Sequence, residues 1–228
     1  MNDLTLLYYT SNRISDFFGN NIRNHLLSLF PEKVPIISVS HKPMDFGENI
    51  CVDGFEVSIY NIYKQILIGA KAAKTKYVAC CEDDALYTRE HFEFRPGNNA
   101  FAYNLSRWHI NRDFYFYRPR AGMHTCIAPT DLMISTLETR FEKYPNLLDR
   151  MECGRIRFAE PGRSEETLEL PLVRLKRFET KPPVLVFNHR PSIGGVRRVY
   201  FEGSRRDILA DTLDYWGPAA DLWSNMHG

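Results

Sequence analysis

Cysteine is scarce in this chain, and its pattern excludes two classes at once. The five cysteines (51, 80, 81, 126 and 153) are odd in number and form no CxxC pair. A zinc ribbon and a paired disulfide framework are therefore not expected. Charge of one sign is also lacking: 29 Lys plus Arg stand against 28 acidic residues, a net charge of +1. A globally basic nucleic-acid binder is excluded by that balance, although a local basic patch is not. No apolar run reaches the roughly 18 residues of a membrane span. There is no internal repeat and no low-complexity tract. The opening MNDLTLLYYTSNR lacks the basic start and small-residue cleavage site of a secretory signal. Together these absences point to a reduced, cytoplasmic protein. What the chain has is core material, 44% hydrophobic and 13% aromatic over 228 residues, which suits a single domain.

The first 145 residues alternate between two periods. Leu4 to Tyr9 is an apolar run ending in Thr-Ser-Asn, which predicts a buried strand and a polar loop. Apolar residues at 14, 17, 18, 22, 26, 29 and 30 predict a helix closed by Pro31. Pro35 to Ser40 predicts a second strand. Residues 41–56 show no clear period and predict a loop of sixteen residues, a length uncommon unless functional. Apolar positions 59, 62, 63, 66, 67 and 70 follow Ser58, predicting a helix with that serine as its cap. Tyr77 to Cys81 is continuous and apolar, a strand buried on both faces. Strand, helix, strand, helix, strand predicts an α/β fold: a Rossmann-like, mixed, mostly parallel sheet flanked by helices. Later strands are expected at 100–105, 114–117, 125–128 and 183–187. Helices are expected from Pro129 to Tyr144 and from Pro218 to Met226. Residues 146–181 give no readable pattern.

Glu82-Asp83-Asp84 follows the buried strand directly. Ligands of open parallel sheets sit at the carboxyl ends of the strands. Three consecutive carboxylates repel one another unless a cation is present. A hard divalent ion, Mn2+ or Mg2+, takes one or two carboxylates plus phosphate oxygens and would relieve that repulsion. The plainer alternative is a solvated turn.

The run SIYNIYKQILIGAKAAKTKYVACCEDDALY resembles the nucleotide-sugar half of GT-A-fold glycosyltransferases. There a helix leads into a strand ending in an Asp-x-Asp-like acidic triplet. With TSNR after the first strand and SVSHKPMDFG after the second, the likeness extends to a compact glycosyltransferase group of phage and bacterial genomes. It covers about residues 4 to 145 and FNH at 187–189. It implies one GT-A-like domain, with residues 1–106 as the nucleotide-sugar half and 107–228 as the acceptor half and tail. It implies a metal-dependent glycosyltransferase using a nucleotide-diphosphate sugar, with UDP as the expected nucleotide. Glu82 and Asp84 match the outer triplet positions, with Asp84 as direct metal ligand and Asp83 beside the donor. His189, after the late strand, matches a further metal ligand. Thr10, Ser11, Asn12 and Arg13 match the loop receiving base and ribose. Asp45, Ser58, Asn61 and Lys64 are the remaining donor-side candidates. Ser11 and Ser58 also read as helix caps, and Asp45 as a solvated loop acid.

Two basic clusters remain. Arg107, Arg112, Arg118 and Arg120 are interleaved with Trp108 and the aromatic run 114–117. Arg190, Arg197, Arg198, Arg205 and Arg206 stand against Glu202 alone within 190–206. Basic groups with aromatic neighbours suit a phosphate-bearing acceptor with stacked bases. Arg107, Trp108, Arg118, Arg197 and Arg198 are the acceptor candidates, and a hydroxymethylated pyrimidine in DNA is the favoured acceptor over a protein or a saccharide. Alternating FYFY also reads as a half-buried strand. An inverting enzyme needs a base near the acceptor hydroxyl. Glu152 and Asp131 are the candidates, with Glu160, Glu165 and Glu166 behind them. A nucleotidyltransferase or other metal-dependent nucleotide-binding enzyme, and a non-catalytic nucleic-acid-binding module, stay open as alternatives.

Overall fold

The computed structural model of the protein describes residues 2–145, 160–190 and 208–228. A seven-stranded mixed sheet forms its centre. Strand β1 (Leu4–Thr10) pairs in parallel with β2 (Ile36–Ser40) on one side and with β4 (Tyr77–Glu82) on the other. Outside β2 lies β3 (Glu48–Cys51), also parallel. Beyond β4 the order continues through β9 (Cys126–Pro129), β6 (Ala100–Asn104) and β10 (Arg174–Phe178). Strand β9 alone runs against its neighbours, so β4, β6 and β10 share one direction. This is the mixed, mostly parallel α/β arrangement expected.

The connections are helices because their apolar positions recur at helical spacing. Helix α1 (Asp16–Ser28) buries Phe18, Ile22 and Leu26 against one sheet face. Each contributes roughly 1.5–3 kcal/mol by leaving water. Its cap is Ser15, which accepts from the Phe18 amide at 3.3 Å, so Ser11 is not the cap. Helices α2 (Ile59–Ala72) and α3 (Thr130–Lys143) cover the opposite face, together with Tyr9, Cys80, Tyr103 and Cys126. Ser58 caps α2 as expected.

A second sheet was not foreseen. Its five strands run β12 (Leu209–Ala210), β8 (Tyr115–Tyr117), β7 (Arg107–Ile110), β11 (Val184–Phe187) and β5 (Ala85–Leu86). It packs on the α1 side, where Val184 to Phe187 join the core of Phe18 and Leu26. A short ribbon of β13 (Thr212–Leu213) and β14 (Gly217–Pro218) leads into α4 (Ala219–His227). Helix α4 docks on α1, where the Asn21 amide donates to the Met226 carbonyl at 3.2 Å. Strand β3 interrupts the expected loop 41–56, and β10 lies in the stretch that gave no pattern. No helix among the described residues is long and apolar enough to cross a membrane.

Candidate active site

The acidic triplet occupies the passage from one sheet to the other. Glu82 ends β4, Asp83 and Asp84 form a turn, and Ala85 opens β5. Each carboxylate takes a different partner. Glu82 accepts from the Tyr9 hydroxyl at 2.9 Å and faces His124 Nδ1 at 3.6 Å. Asp83 accepts from the Thr10 hydroxyl. Asp84 Oδ2 faces His189 Nε2 at 3.7 Å. The last pairing follows from the second sheet. The Phe187 amide donates to the Asp84 carbonyl at 2.8 Å, and His189 lies two residues beyond Phe187. Phe18 of α1 packs on the His189 ring, with centroids 5.2 Å apart.

Electrostatics concentrate on Asp83. Withdrawal from water, then the charge of Asp84, push its carboxyl up to about 7, against the lowering effect of the Thr10 hydrogen bond. Burial is the larger cause, and the Asp84 contribution is the one repulsion within the triplet that acts here.

Among the described residues, no group of three or more His, Cys, Asp or Glu side chains gathers to hold a metal. A pair does come together. Two ligands at about 2.1 Å from one cation lie about 3 Å apart at a right angle and about 4.2 Å apart when opposed. The 3.7 Å between Asp84 Oδ2 and His189 Nε2 falls in that range. His189 is buried, and its Nε2 has no hydrogen-bond partner among the described residues. Such a nitrogen costs about 1–3 kcal/mol, which a ligated cation would offset. The pair thus fits half of a site for a hard cation that brings its remaining oxygens from a phosphate ligand. Glu82 is drawn elsewhere, to Tyr9 and His124, and does not join Asp84 and His189.

The loop after β1 is knitted to the end of β2. Asn12 sits at φ +52°, its amide donates to Thr10 Oγ1 at 2.9 Å, and its side-chain carbonyl accepts from the Lys42 amide at 2.9 Å. Gln65 of α2 donates to the Thr10 and Val39 carbonyls, both at 2.9 Å, tying the two strand ends together. Ser11 is half-buried and Arg13 exposed on this loop. Lys64 lies over the Tyr60 ring at 4.6 Å.

Several expected site residues sit elsewhere. Asn61 is buried, and its side-chain amide donates to the Glu56 carbonyl at 2.8 Å, closing its own loop. Ser58 is spent as the cap. Asp45 is exposed on the β2–β3 loop. Asp131 is at the wrong edge: Pro129 pairs with Tyr77, and the Thr130 amide bonds the Lys76 carbonyl, so α3 starts where β4 starts. The triplet lies a strand's length away, about 17 Å. The structure therefore does not bring Asp131 to the triplet. Glu165 is buried against Arg140. Arg107 is 2% exposed, donating to the Arg118 carbonyl at 3.0 Å and lying 2.8 Å from His124 Nε2. Its guanidinium is buried in the core. Trp108 packs on Tyr117, and the Arg118 guanidinium lies over Phe116. Glu152, Arg197, Arg198, Arg205 and Arg206 lie outside the described residues.

The residues missed are Tyr9, Gln65 and His124. Tyr9 had a signal, being opposite Glu82 at the carboxyl end of the first strand. Gln65 lies one turn beyond Asn61 on the buried face of α2. Nothing in the sequence pointed to His124.

No protein-family model matches this chain, and no curated protein does. Among solved structures it is similar to the bifunctional IspDF from Campylobacter jejuni, with TM-score 0.42 and 11% identity over 78% of this chain and 50% of that one. It is similar also to S. aureus TarS 1-349, with TM-score 0.40 and 11% identity over 83% of this chain and 61% of that one. The chain thus spans about half to three-fifths of these structures.

Proposed function

We propose that this chain is a divalent-cation-dependent glycosyltransferase that moves a sugar from a nucleoside-diphosphate donor to an acceptor hydroxyl. One observation carries the reading. Asp84 and His189 come together where β5 and β11 pair, at the carboxyl end of β4 and beside Asp83 held by Thr10.

The roles follow from the side chains present. Asp84 and His189 would hold Mn2+ or Mg2+. When bound, such a cation supplies Lewis-acid neutralisation of the diphosphate leaving group. Thr10 holds Asp83 and keeps that carboxylate beside the donor. The loop from Thr10 to Arg13, fixed by Asn12 and Lys42, offers hydroxyl, amide and guanidinium donors to a base and ribose. A uridine nucleotide is the first donor to test. On the acceptor side, burial of Arg107 removes one cation that favoured DNA. The acceptor is therefore assigned only as a hydroxyl-bearing molecule.

The test is release of nucleoside diphosphate from a panel of nucleotide sugars, with Mn2+ and with chelator. Release that needs Mn2+ and disappears with chelator is expected. Pyrophosphate release from nucleoside triphosphates instead would replace this reading with nucleotidyl transfer. Release of neither would end both.

A further inference from the structure

We propose that a cavity at the β10 edge of the large sheet is an anion-binding site, taking a phosphate or carboxylate of an extended acceptor. The acceptor part of this statement rests on the transferase reading; the anion site does not.

The cavity has a volume of about 590 Å³ and is lined by Gly162, Arg163, Leu175 and Arg177. Ligand pockets span roughly 300–1,000 Å³, so it has room for a phosphate and its neighbours. Its wall is a segment held firmly in place. Glu165 accepts from the Gly162 and Ser164 amides at 2.8 and 3.2 Å and pairs with buried Arg140. The Tyr103 hydroxyl bonds the Pro161 carbonyl at 2.9 Å. Gly162 lies so close to β10 that an added Cβ would meet Leu175 Cβ at 2.7 Å, and its φ is +90°.

The charge of β10 has no ion-pair partner among the described residues. Arg174, Lys176 and Arg177 are exposed, and none has an ion pair among the described residues. Arg163 pairs with Glu160 at 2.6 Å through one nitrogen. Its other N–H groups remain donors, since a guanidinium carries five. Edge strands commonly carry Lys and Arg to block pairing with another chain. That accounts for Arg174 and Lys176, which alternate to one face. It does not account for a second arginine meeting Arg177 across a cavity.

Register places the cavity relative to the site. Tyr103 lies opposite both Arg177 and Cys126, and the β4–β9 pairing puts Cys126 level with Cys80. Glu82, two residues beyond Cys80, shares that face. Three strand spacings sideways and two residues along give about 16 Å between Glu82 and Arg177. An acceptor reacting at the triplet would need to be several sugar or nucleotide units long to reach the cavity.

The test is an amide NMR titration with inorganic phosphate, and separately with acetate, in the full chain. Saturable shifts at Gly162 and Arg163 are expected. Arg177→Glu should weaken them by about tenfold or more, and Arg177→Lys by less, since a guanidinium fork suits phosphate better than an ammonium. Response to phosphate alone indicates a phosphorylated acceptor, response to acetate alone a carboxylated one, and response to both a site that takes either anion. The shifts should persist with saturating UDP and Mn2+. Loss of the shifts under UDP would mean that phosphate reports the donor site, and would overturn the proposal. No saturable shift, or equal affinity in Arg177→Glu, would overturn it too. Failure of UDP to bind would contradict the transferase reading and leave the phosphate result standing.

Discussion

Asp84 Oδ2 and His189 Nε2 face each other at 3.7 Å because the strands they flank, β5 and β11, are neighbours in the second sheet. The contact exists because the chain leaves β4 through the triplet and joins the second sheet at once. There Ala85 pairs with Val186. Sheet topology, not local sequence, builds this pair.

Replacing Asp84 by Asn should abolish cation-dependent turnover and leave the fold intact. One negative ligand is lost, but its repulsion of Asp83 is lost as well. The melting temperature without metal should hold or rise. Donor-hydrolysis assays and thermal melts check both halves, and turnover near wild type would remove the metal assignment.

His189→Ala should weaken Mn2+-dependent nucleotide binding less than Asp84→Asn does. A neutral imidazole attracts a cation less than a carboxylate at the same distance. Titration calorimetry of the two variants gives the order directly. Unchanged affinity in His189→Ala would leave this histidine as a packing partner of Phe18.

Arg107→Ala should destabilise the protein by roughly 2–4 kcal/mol, since it strips partners from His124 and the Arg118 carbonyl inside the core. Urea denaturation measures it. A change confined to acceptor affinity, with stability untouched, would return Arg107 to a binding role.

Stability should fall in mild acid through His91. Burial pushes its imidazole down to about 3 in the folded chain. In the unfolded chain it takes its proton near 6.5. The unfolded state therefore binds more protons between these values. The contribution is fully present above about pH 6.5 and is lost below it, at about 1.4 kcal/mol per pH unit. His91→Phe, which can keep the ring contact with Phe178, should lose less stability than wild type between pH 6 and 5. Denaturation curves at the two pH values decide it. Parallel losses in both proteins would clear His91.

Strands β1, β2 and β4 and helices α1 and α2 were legible because these strands are buried on both faces and these helices keep one apolar stripe. The rest was not, for reasons visible in particular residues. Strand β3 reads Glu-Asn-Ile-Cys, an edge strand with exposed ends and no apolar alternation. Strand β10 reads Arg-Leu-Lys-Arg-Phe, whose charges suit an edge but resemble a loop. Arg107 looked like a surface cation because its partners, His124 and the Arg118 carbonyl, meet it only once β7, β8 and the turn at 123–125 have folded. Asp131 was grouped with the triplet because sequence does not show at which end of the sheet a helix starts. The pairing of Asp84 with His189 was expected from resemblance alone; the register of β5 with β11 is its physical cause.

The most direct measurement is titration calorimetry of UDP into the wild-type chain, with and without Mn2+, repeated on Asp84→Asn. The account predicts saturable UDP binding that needs Mn2+ in the wild type and is lost in Asp84→Asn. UDP binding that is equally strong without Mn2+, or unaltered in Asp84→Asn, would contradict a cation site at Asp84 and His189.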